Sequence, residues 1–444
     1  MKIVLPNKVL MIILNLQMHG HDAYAVGGCV RDSILAKKPQ DWDITTSAKP
    51  ADIKRMFRRT VDTGIEHGTV TVLLGKDSFE VTTYRIDGVY EDNRHPKEVR
   101  FTNNLEEDLK RRDFTINAMA YNDDVRLVDV FGGMKDLNYH LIRCVGDAKE
   151  RFSEDALRIL RAVRFSAQLG FSIEKSTEAA IKELAPSLQH VSAERIRAEL
   201  VKILVSSHPE QIREAYRLGI TRVILPEWDE MEGVAQNTPH HKYDVAEHTV
   251  QAIKNVKRDK ILRLTMLFHD MGKPAMKTTD ENGRDHFKGH AIVSEELANV
   301  VMRRLKFDND TIKKVTRLVC YHDYRVEATP QNVRRAMNRI GVELFPYYLA
   351  VRLADVKAQS VYQKREKVEN IIKMRELYQE ALVQEHCVTL HDLAVTGKDL
   401  MAIGMEPGQK LGSMLQELLE WVIDDPDCNK KEILCEYVKE KLGL

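Results

Sequence analysis

Two aspartates near the N-terminus have the spacing that phosphate chemistry requires. Asp41 and Asp43 are two residues apart, which places both carboxylates on one face of a β-strand. Such carboxylates repel each other unless a cation lies between them, and Mg²⁺ prefers oxygen ligands that it shares with substrate phosphates. Two such ions activate a hydroxyl and stabilise a departing pyrophosphate. The pair therefore predicts a magnesium site; on general grounds, the competing interpretation is a solvated strand end.

Gly27 and Gly28 form a turn ahead of these aspartates, directly after the apolar run 24–26. Glycine lets backbone N–H groups approach a phosphate closely. The next segment, 30–36, has the pattern of a helix start, and the amides at a helix N-terminus favour anions. Arg31 adds a guanidinium that pairs with phosphate oxygens. We therefore expect Gly28 and Arg31 to bind a phosphorylated ligand.

A second polar arrangement, in the segment 153–165, has the chemistry to distinguish nucleobases. Ser153 is predicted to cap a helix with Glu154 and Asp155 in its first turn, so that Asp155 and Arg158 share a face. A carboxylate only accepts hydrogen bonds, and a guanidinium only donates them. Cytosine and adenine both present an amine beside an acceptor, whereas guanine and uracil reverse this pattern. The pair can thus accept C and A and reject G and U; the alternative is a surface ion pair of little energetic weight.

The elements that must position these residues change character near residue 150. Short β-branched runs such as 69–74 and 79–84 come before it, and helical spacing of apolar residues dominates after it. The chain has 444 residues, 43% of them hydrophobic and 30% charged, which is typical of a soluble protein with two to four domains. The predicted fold class is α+β, with an α/β head followed by helical domains.

The overall charge and the cysteines constrain the environment. The formal net charge is zero, so any nucleic-acid-binding surface must be local. None of the six cysteines forms a CxxC pair, which favours free thiols in a reducing cytoplasm. The apolar run 9–14 is too short to span a bilayer. We expect a cytoplasmic protein without a membrane partner.

The first 120 residues resemble the nucleotidyltransferase superfamily, specifically the class II tRNA CCA-adding enzymes and bacterial poly(A) polymerases. The resemblance is carried by the glycine turn, the aspartate pair and the segments 63–70, 79–85, 87–96 and 111–118. It implies that Asp41 and Asp43 hold catalytic magnesium ions and that Glu80 is a third active-site carboxylate. Glu80 is equally consistent with an outward residue on an alternating strand. The resemblance also places Arg112 on the nucleotide.

The segment 154–158 resembles the Glu-Asp-x-x-Arg motif with which this family reads the incoming base. The resemblance assigns base reading to Asp155 and Arg158 and implies CTP and ATP as substrates and the tRNA 3′ end as partner. Arg161 and Arg164 are then expected to hold the triphosphate or to position the reading pair. The later segment 194–200 resembles the helical neck of the family and is interpreted as mainly structural.

Both CCA addition and poly(A) addition use such a catalytic head, and three features favour CCA addition. The segment 63–70 has the CCA-adding form, and the segment 154–158 closely matches the CCA-type helix. Residues 89–98 match an intact flexible loop that the family needs to switch from C to A. An enzyme that adds only the final A would look almost the same, so that alternative and poly(A) synthesis stay open.

A third pattern lies in the C-terminal half. Its residues fall in the order of the HD phosphohydrolase superfamily, an all-helical metal-binding fold: His248, His269, Asp270, His290, His322 and Asp355. Neutral imidazole together with carboxylate suits a transition divalent metal. Some CCA-adding enzymes carry an active HD domain, and others retain only its shell. The rival hypothesis is an HD phosphohydrolase acting on RNA ends or nucleotides, which the intact transferase residues disfavour; these residues likewise disfavour a tRNA-binding protein without catalysis.

The resemblances together predict four domains. These are a nucleotidyltransferase head at 1–150, a helical neck with the base-reading motif at 151–230, an HD-like helical domain at 231–365 and a helical tail at 366–444. The tRNA is expected to lie across the last two by its phosphates and shape. Basic candidates for this contact, which equally fit a solvated helix face, are Lys364, Arg365, Lys367 and Lys373.

Overall fold

The structure is a computed structural model that describes residues 2–88 and 99–443. The predicted switch segment, 89–98, lies outside the described residues. The chain divides into two compact units, Met1–Pro226 and Glu227–Leu444. The finer boundaries near residues 150 and 365 stay predictions.

The first unit is built around a seven-stranded mixed sheet. The strands of the whole unit, in chain order, are β1 (Ala23–Val26), β2 (Asp43–Thr46), β3 (Thr60–Gly64), β4 (Thr69–Leu74), β5 (Asp77–Thr83), β6 (Arg85–Asp87), β7 (Val99–Phe101), β8 (Ala120–Asn122), β9 (Arg126–Val128), β10 (Leu141–Ile142) and β11 (Ser172–Ile173). The spatial order in the sheet is β3-β4-β5-β2-β1-β8-β9, while β6 pairs with β7 and β10 with β11.

The pairing of β2 with β5 positions the predicted acidic residues. The two strands run parallel, with Ile44 opposite Val81. One residue earlier in the same register, Asp43 lies beside Glu80. Val81 and Ile44 are fully buried, whereas Asp43 and Glu80 are exposed. The alternation of the strands therefore turns both carboxylates to one open face.

The helices of the first unit surround this sheet and continue beyond it. They are α1 (Asn7–Met18), α2 (Gly28–Ile34), α3 (Pro50–Met56), α4 (Leu105–Lys110), α5 (Gly133–Asn138), α6 (Ala148–Glu154), α7 (Leu157–Leu169), α8 (Lys175–Leu184), α9 (Ala193–Leu204), α10 (Gln211–Arg217) and α11 (Thr221–Ile224). Short 3₁₀ turns occur at Ile65–His67, Thr115–Asn117 and Ala185–His190. Helix α12 (Pro226–Asp229) lies at the division between the units.

The predicted helix start at Ser153, with Glu154 and Asp155 in its first turn, is wrong, because Ser153 and Glu154 form the end of helix α6. Helix α6 ends at Glu154, and Asp155 has an extended backbone with φ −142° and ψ 101°. The Asp155 carboxylate instead accepts a hydrogen bond from the Leu157 N–H at 3.1 Å. An aspartate commonly leaves a helix in this way because its side chain competes for the backbone donors. Asp155 therefore lies between two helices rather than within the first turn of one.

The second unit is almost entirely helical. Its helices are α13 (Val245–Asn255), α14 (Lys260–Phe268), α15 (Lys273–Met276), α16 (His290–Arg304), α17 (Asn309–Tyr321), α18 (Pro330–Ile340), α19 (Phe345–Ala358), α20 (Lys364–Val383), α21 (Gly397–Ala402), α22 (Gln409–Asp424) and α23 (Lys431–Leu442). The only strands described there are the short pair β12 (Thr278–Thr279) and β13 (Asp285–His286), and 3₁₀ turns occur at Leu390–Asp392 and Pro426–Cys428. The predicted α+β class is confirmed.

Two apolar clusters form much of the core of this unit. One gathers α18, α19 and α20 around Phe345 and Tyr348, and the other gathers α21, α22 and α23 around Leu418 and Val422. No helix in the described part of the chain is both long and apolar enough to cross a membrane.

One glycine near the acidic face permits a close contact and yields a stability prediction. Gly68 has φ +80°, and a Cβ at this position would lie 2.7 Å from Cε1 of Phe101. Gly20 has a similar φ of +82° but nothing within 4 Å of its Cβ position. Both alanine substitutions lose the conformational freedom of glycine, and only Gly68→Ala adds a clash. We expect Gly68→Ala to lower the free energy of unfolding by about 1 kcal/mol or more beyond the loss in Gly20→Ala, measured by urea unfolding. Equal losses would contradict the close contact.

Candidate functional sites

The acidic end of the sheet forms a small cavity of about 180 Å³. Its lining includes Asp43 and Glu80 together with Arg85 and Arg112. Although both side chains are partly accessible to water, desolvation by the surrounding protein raises the pKa of Asp43, with Arg112 opposing the rise and Asp41 adding to it. Desolvation also raises the pKa of Glu80, and so do Asp43 and Asp41. The three carboxylates therefore lie close enough to repel one another, as a cation site requires.

The aspartate pair departs from the predicted geometry in one respect. Strand β2 begins at Asp43, so Asp41 precedes the strand rather than lying in it. Its carboxylate nevertheless acts on both Asp43 and Glu80. The three groups are thus assembled by a strand start and a parallel neighbour, not by one strand face alone.

The glycine turn brings the backbone close to a guanidinium. Gly27 has φ +82°, and a Cβ there would lie 3.1 Å from Nη1 of Arg112. Helix α2 then begins at Gly28. Arg31 is buried and donates to Oδ1 of Asn117 at 2.6 Å and to Oδ1 of Asp32 at 2.8 Å. Its guanidinium is therefore held by protein partners in this structure, and its predicted contact with phosphate stays a prediction.

Asp108 is a buried anion that holds the two adjacent arginines. Arg111 donates to its Oδ1 through Nε at 2.9 Å and Nη2 at 2.7 Å, and Nη2 of Arg112 lies 3.6 Å from its Oδ2. Thr45 of β2 also donates to its Oδ2 at 2.9 Å. Burial alone would raise the pKa of Asp108, but Arg111 and Arg112 outweigh it and lower the pKa. The interaction ties the arginine pair to the strand that carries Asp43.

A second cavity, of about 240 Å³, is lined in part by the same two arginines. Its lining is Arg111, Arg112, Asp113, Asp155, Leu157, Arg158, Arg161 and Arg195. Because Arg111 and Arg112 line both cavities, the acidic end of the sheet adjoins the predicted base-reading residues.

Asp155 and Arg158 both line this second cavity, but each is held by a third residue. Oδ2 of Asp155 accepts from Nη2 of Arg195 at 2.7 Å. Nη1 of Arg158 donates to Oε2 of Glu154 at 2.5 Å, and its Nη2 donates to the carbonyl of Arg111 at 3.0 Å. The two side chains are therefore fixed independently of each other.

Arg161 and Arg164 each have a carboxylate partner far away in sequence. Arg161 donates to Oδ2 of Asp113 at 2.8 and 2.5 Å, and Nε of Arg164 lies 3.0 Å from Oε2 of Glu199. The Phe165 ring packs against the guanidinium of Arg164, 4.0 Å from its centroid. In this structure both arginines form ion pairs with carboxylates of the chain, and these contacts hold helix α7, which carries Arg158, in place.

The second unit contains a buried cluster of imidazoles and carboxylates. The structure brings together the six residues of the predicted pattern, all of them buried: His248, His269, Asp270, His290, His322 and Asp355. Asp270 is central. Its Oδ2 lies 3.3 Å from His248 and 3.2 Å from His269, and its Oδ1 lies 3.4 Å from His290 and 3.5 Å from His322. Asp355 adds a contact of 3.1 Å to His248.

The orientation of these imidazoles leaves lone pairs facing each other. Nδ1 of His290 lies 2.8 Å from the Phe287 carbonyl, and Nδ1 of His322 lies 2.7 Å from the Val319 carbonyl. A carbonyl only accepts, so each Nδ1 carries the proton and each neutral ring presents an unprotonated Nε2. The two Nε2 atoms are 3.1 Å apart. Two opposed lone pairs need a cation or proton between them, so these residues fit a metal ion.

Two further residues of this site were missed by the sequence analysis. Nζ of Lys273 lies 2.7 Å from Oδ2 of Asp270 and donates to Gln236 at 2.7 Å. Gly272 lets this segment approach α16, because a Cβ there would lie 2.6 Å from the carbonyl of His290. Gly272 and Lys273 are the second and third residues after Asp270, so they lie close in sequence to a residue that the pattern named.

Three family descriptions match successive parts of the chain. The poly A polymerase head domain matches residues 23–143, and a probable RNA and SrmB-binding site of polymerase A matches residues 170–232. A domain described as putative tRNA nucleotidyltransferase domain 2 matches residues 289–438. The fold and the head domain together define a nucleotidyltransferase.

Relatives with similarity along the whole chain specify the family. The CCA-adding enzyme of Lactobacillus helveticus is 33% identical over 98% of this chain and 96% of its own length. That of Enterococcus faecalis is 34% identical over 97% of this chain and 95% of its own. The Bacillus stearothermophilus CCA-adding enzyme, solved in complex with CTP, has a TM-score of 0.75 at 30% identity and covers 98% of this chain, with 96% of its own length matched. The chain belongs to the CCA-adding enzyme family.

The ion pair between Asp113 and Arg161 makes a pH-dependent prediction. Burial alone would raise the pKa of Asp113, but Arg161 and a hydrogen bond from Asn117 outweigh it and lower the pKa to about 2. The stabilisation is thus complete above the ordinary aspartate pKa of about 3.9 and is lost as pH falls through about 2. We expect Asp113→Asn to cost roughly 2 kcal/mol at pH 7, discounted for the partial exposure of Arg161, in urea unfolding.

The deficit of Asp113→Asn relative to the wild type should shrink as the pH is lowered from 4 towards 2. Asp123→Asn is the matched control, because Asp123 forms a more exposed ion pair with Arg126. A deficit independent of pH would contradict the low pKa of Asp113.

Proposed function

We propose that the adjoining cavities of the first unit are where CTP and ATP are joined to the 3′ end of tRNA, completing its CCA. The observation that carries this proposal is that Arg111 and Arg112 line both the acidic cavity and the base-reading cavity. One nucleotide can thus present its phosphates to Asp43 and its base to Asp155 and Arg158. The Bacillus stearothermophilus relative was solved with CTP, and a Thermotoga maritima CCA-adding enzyme was solved with tRNA.

The carboxylates Asp41, Asp43 and Glu80 suit divalent metal ions, and the family uses Mg²⁺. Their mutual repulsion supports this assignment, because a bound cation would relieve the raised pKa values of Asp43 and Glu80. Bound Mg²⁺ supplies charge neutralisation at the phosphate oxygens and acidifies the attacking hydroxyl. Asp41 and Asp43 are the proposed metal ligands, and Glu80 completes the acidic end.

The reaction is an in-line nucleotidyl transfer. The 3′-hydroxyl oxygen of the tRNA forms a bond to the α-phosphorus, and the bond from this phosphorus to the bridging oxygen breaks. Pyrophosphate leaves, and the hydroxyl proton passes to Glu80. Arg112 lines the acidic cavity, where we assign it to the departing phosphates, and Gly27 lets the backbone approach its guanidinium closely. We assign Gly28 and Arg31 to the same phosphate-facing turn.

The base is selected by preformed groups. Arg195 fixes the Asp155 carboxylate, and Glu154 fixes the Arg158 guanidinium. We propose that Asp155 accepts from the exocyclic amine of C or A and that Arg158 donates to the neighbouring acceptor. Guanine and uracil reverse the donor–acceptor pattern, so each would set an acceptor against the Asp155 carboxylate and a donor against the Arg158 guanidinium, which is costly in a cavity. Arg161 and Arg164 position the motif through Asp113 and Glu199.

Loss of either metal-binding aspartate should abolish transfer. We expect Asp43→Ala to slow addition of labelled CMP to tRNA lacking CCA by about a thousandfold or more, since metal catalysis supplies several kcal/mol. Asp41→Ala should behave alike, while tRNA retention on filters stays unchanged. Asp77→Ala, an exposed aspartate of β5, is the control. Undiminished addition by Asp43→Ala would refute the site.

Changes at Arg158 should act on nucleotide choice. We expect Arg158→Ala to reduce the preference for CTP over UTP by about ten- to hundredfold, the cost of one unsatisfied buried partner. Arg158→Lys should recover only part of it, because an ammonium lacks the planar fork. The measurement is kcat/KM for each nucleotide with tRNA lacking CCA. An unchanged preference in Arg158→Ala, together with slower addition of both nucleotides, would assign Arg158 to structure alone.

The partner is the 3′ end of tRNA, engaged by shape and phosphate contacts because one enzyme serves many tRNAs. A cytoplasmic location follows from this substrate and from the free cysteines. Addition of CC by a separate protein would leave this chain the final A only, and CTP incorporation separates these cases.

We propose a second function for the cluster in the second unit: metal-dependent hydrolysis of a phosphate ester of a nucleotide or RNA end. The observation that favours it is the facing Nε2 pair of His290 and His322 around Asp270. A transition divalent metal suits these ligands and supplies Lewis acidity. In the reaction, a water oxygen bonds to phosphorus, the ester P–O bond breaks, and the water proton ends on the departing alcohol.

Metal retention tests this second site apart from the first. After loading with Mn²⁺ and dialysis, we expect bound metal in the wild type and in Asp43→Ala but loss in His269→Ala and His290→Ala, since each removes a ligand from one of the two triads. His286→Ala is the matched control, because His286 lies outside the cluster and contacts Asp280. Absence of metal from both the wild type and Asp43→Ala, measured by elemental analysis, would refute the second function.

A further inference from the structure

The cavity in front of the histidine–carboxylate cluster is much larger than one phosphate group requires. Its volume is about 1010 Å³, and Asp270, His290, His322 and Asp355 form part of its lining. Sites for small organic ligands span about 300–1000 Å³. The remaining surface of the cavity therefore has room for substrate groups beyond the phosphate at the cluster.

A cationic surface lines the same cavity. It consists of Arg325, Arg352 and Lys367, which we call the basic wall. The three residues come from separate elements: the segment after α17, helix α19 and helix α20. Lys367 was grouped with the tRNA-binding candidates of the tail, but its side chain lines this cavity. Helix α20 thus contributes to the pocket of the cluster.

The charges of the basic wall are incompletely matched by carboxylates. Nζ of Lys367 donates to Nδ1 of His240 at 3.1 Å and to Oε1 of Gln359 at 2.9 Å. Among the residues that the structure describes, no carboxylate forms an ion pair with Lys367. Nη1 of Arg352 lies 3.8 Å from the carboxylates of both Asp323 and Asp355.

The other acidic residues of the cavity do not change this balance. Asp323 is shared, because it lies 3.6 Å from Arg325 as well as 3.8 Å from Arg352. Asp285 is engaged by Lys277 at 3.0 Å and by the backbone of Asn237. Glu366 is exposed on α20. A half-buried ammonium and two guanidiniums therefore face one space, and only Asp323 and Asp355, among the carboxylates described here, lie within ion-pair distance of them.

The electrostatics of Lys367 agree with this geometry. Its pKa is lowered by burial and, although Asp355 opposes the change, by Arg325 and Arg352. The pKa of His240 is lowered by burial and by Lys367 and Arg325. An anion bound among these groups would replace the repulsion with charge-assisted hydrogen bonds.

We propose that the basic wall binds a second phosphate of the substrate, so that the cavity takes a nucleotide with two phosphate groups in preference to a monophosphate. One phosphate faces the cluster, and the other lies on Arg325, Arg352 and Lys367. This inference rests on the second function proposed above. Two kinds of ligand offer this pair of phosphates. One is a free nucleoside bisphosphate, and the other is an RNA with a 3′-phosphate, in which the phosphodiester that joins the last two nucleotides supplies the second phosphate.

Equilibrium binding to the Mn²⁺-loaded full chain tests this proposal. The probes are adenosine 3′,5′-bisphosphate, adenosine 3′-monophosphate and a diadenosine dinucleotide with a 3′-phosphate. We expect the wild type to bind the bisphosphate about tenfold more tightly than the monophosphate, the effect of one charge-assisted contact. Lys367→Met should reduce the preference to about twofold or less. Lys373→Met, the same change at an exposed position of α20, should leave it intact.

Mn²⁺ retained by Lys367→Met shows that the histidine–carboxylate cluster of this variant is intact. Nucleotide binding by the first unit contributes equally to the wild type and to both variants, so it does not affect the comparison. Equal affinities of the wild type for bisphosphate and monophosphate would overturn the proposal, as would an undiminished preference in Lys367→Met. The tighter of the bisphosphate and the dinucleotide identifies a free nucleotide or an RNA end as the source. Release of inorganic phosphate is measured separately. If no phosphate is released but the preference for the bisphosphate is intact, the proposed hydrolysis is refuted and the anion site on the basic wall is retained.

Discussion

The arrangement of the two cavities in the first unit depends on a single buried anion, Asp108. Its carboxylate is bound by Thr45 of β2 and by Arg111, and it lies within ion-pair distance of Arg112. One carboxylate therefore holds both β2, which carries Asp43, and the two arginines that line both cavities. A buried carboxylate is tolerated only when such partners satisfy it. The relative position of the acidic residues and of the predicted base-reading residues follows from this arrangement.

The sequence predicted the chemistry of the first unit better than its geometry. The spacing of Asp41 and Asp43 indicated a metal pair, but the assembly of three carboxylates required the parallel register of β2 and β5, which joins residues far apart in the chain. The helix through Asp155 was wrong because local helical spacing ignored the competition between this side chain and the backbone. The partners of Arg161 and Arg164 are likewise tertiary contacts that periodicity does not encode.

In the second unit, the sequence predicted which residues come together. Its six imidazole and carboxylate residues were predicted from their resemblance to the HD phosphohydrolase superfamily, and the structure brings them to one place on separate helices and helix ends. Their metal binding stays a prediction. The orientation of Nε2 atoms could not be predicted, because it depends on carbonyls such as those of Phe287 and Val319. Lys367 was predicted to contact tRNA or solvent, because the sequence around a basic residue does not reveal a cavity formed by other helices.

The break between α6 and α7 has a consequence for how base selectivity can evolve. Asp155 both lines the cavity that we propose reads the base and accepts the hydrogen bond that starts α7. Helix starts tolerate few side chains, chiefly aspartate, asparagine, serine and threonine. The substitutions at this position that keep helix α7 intact are therefore mostly to other short side chains that form hydrogen bonds. Such substitutions preserve the fold and change the groups presented to the base, so mutations accepted here are expected to alter nucleotide specificity.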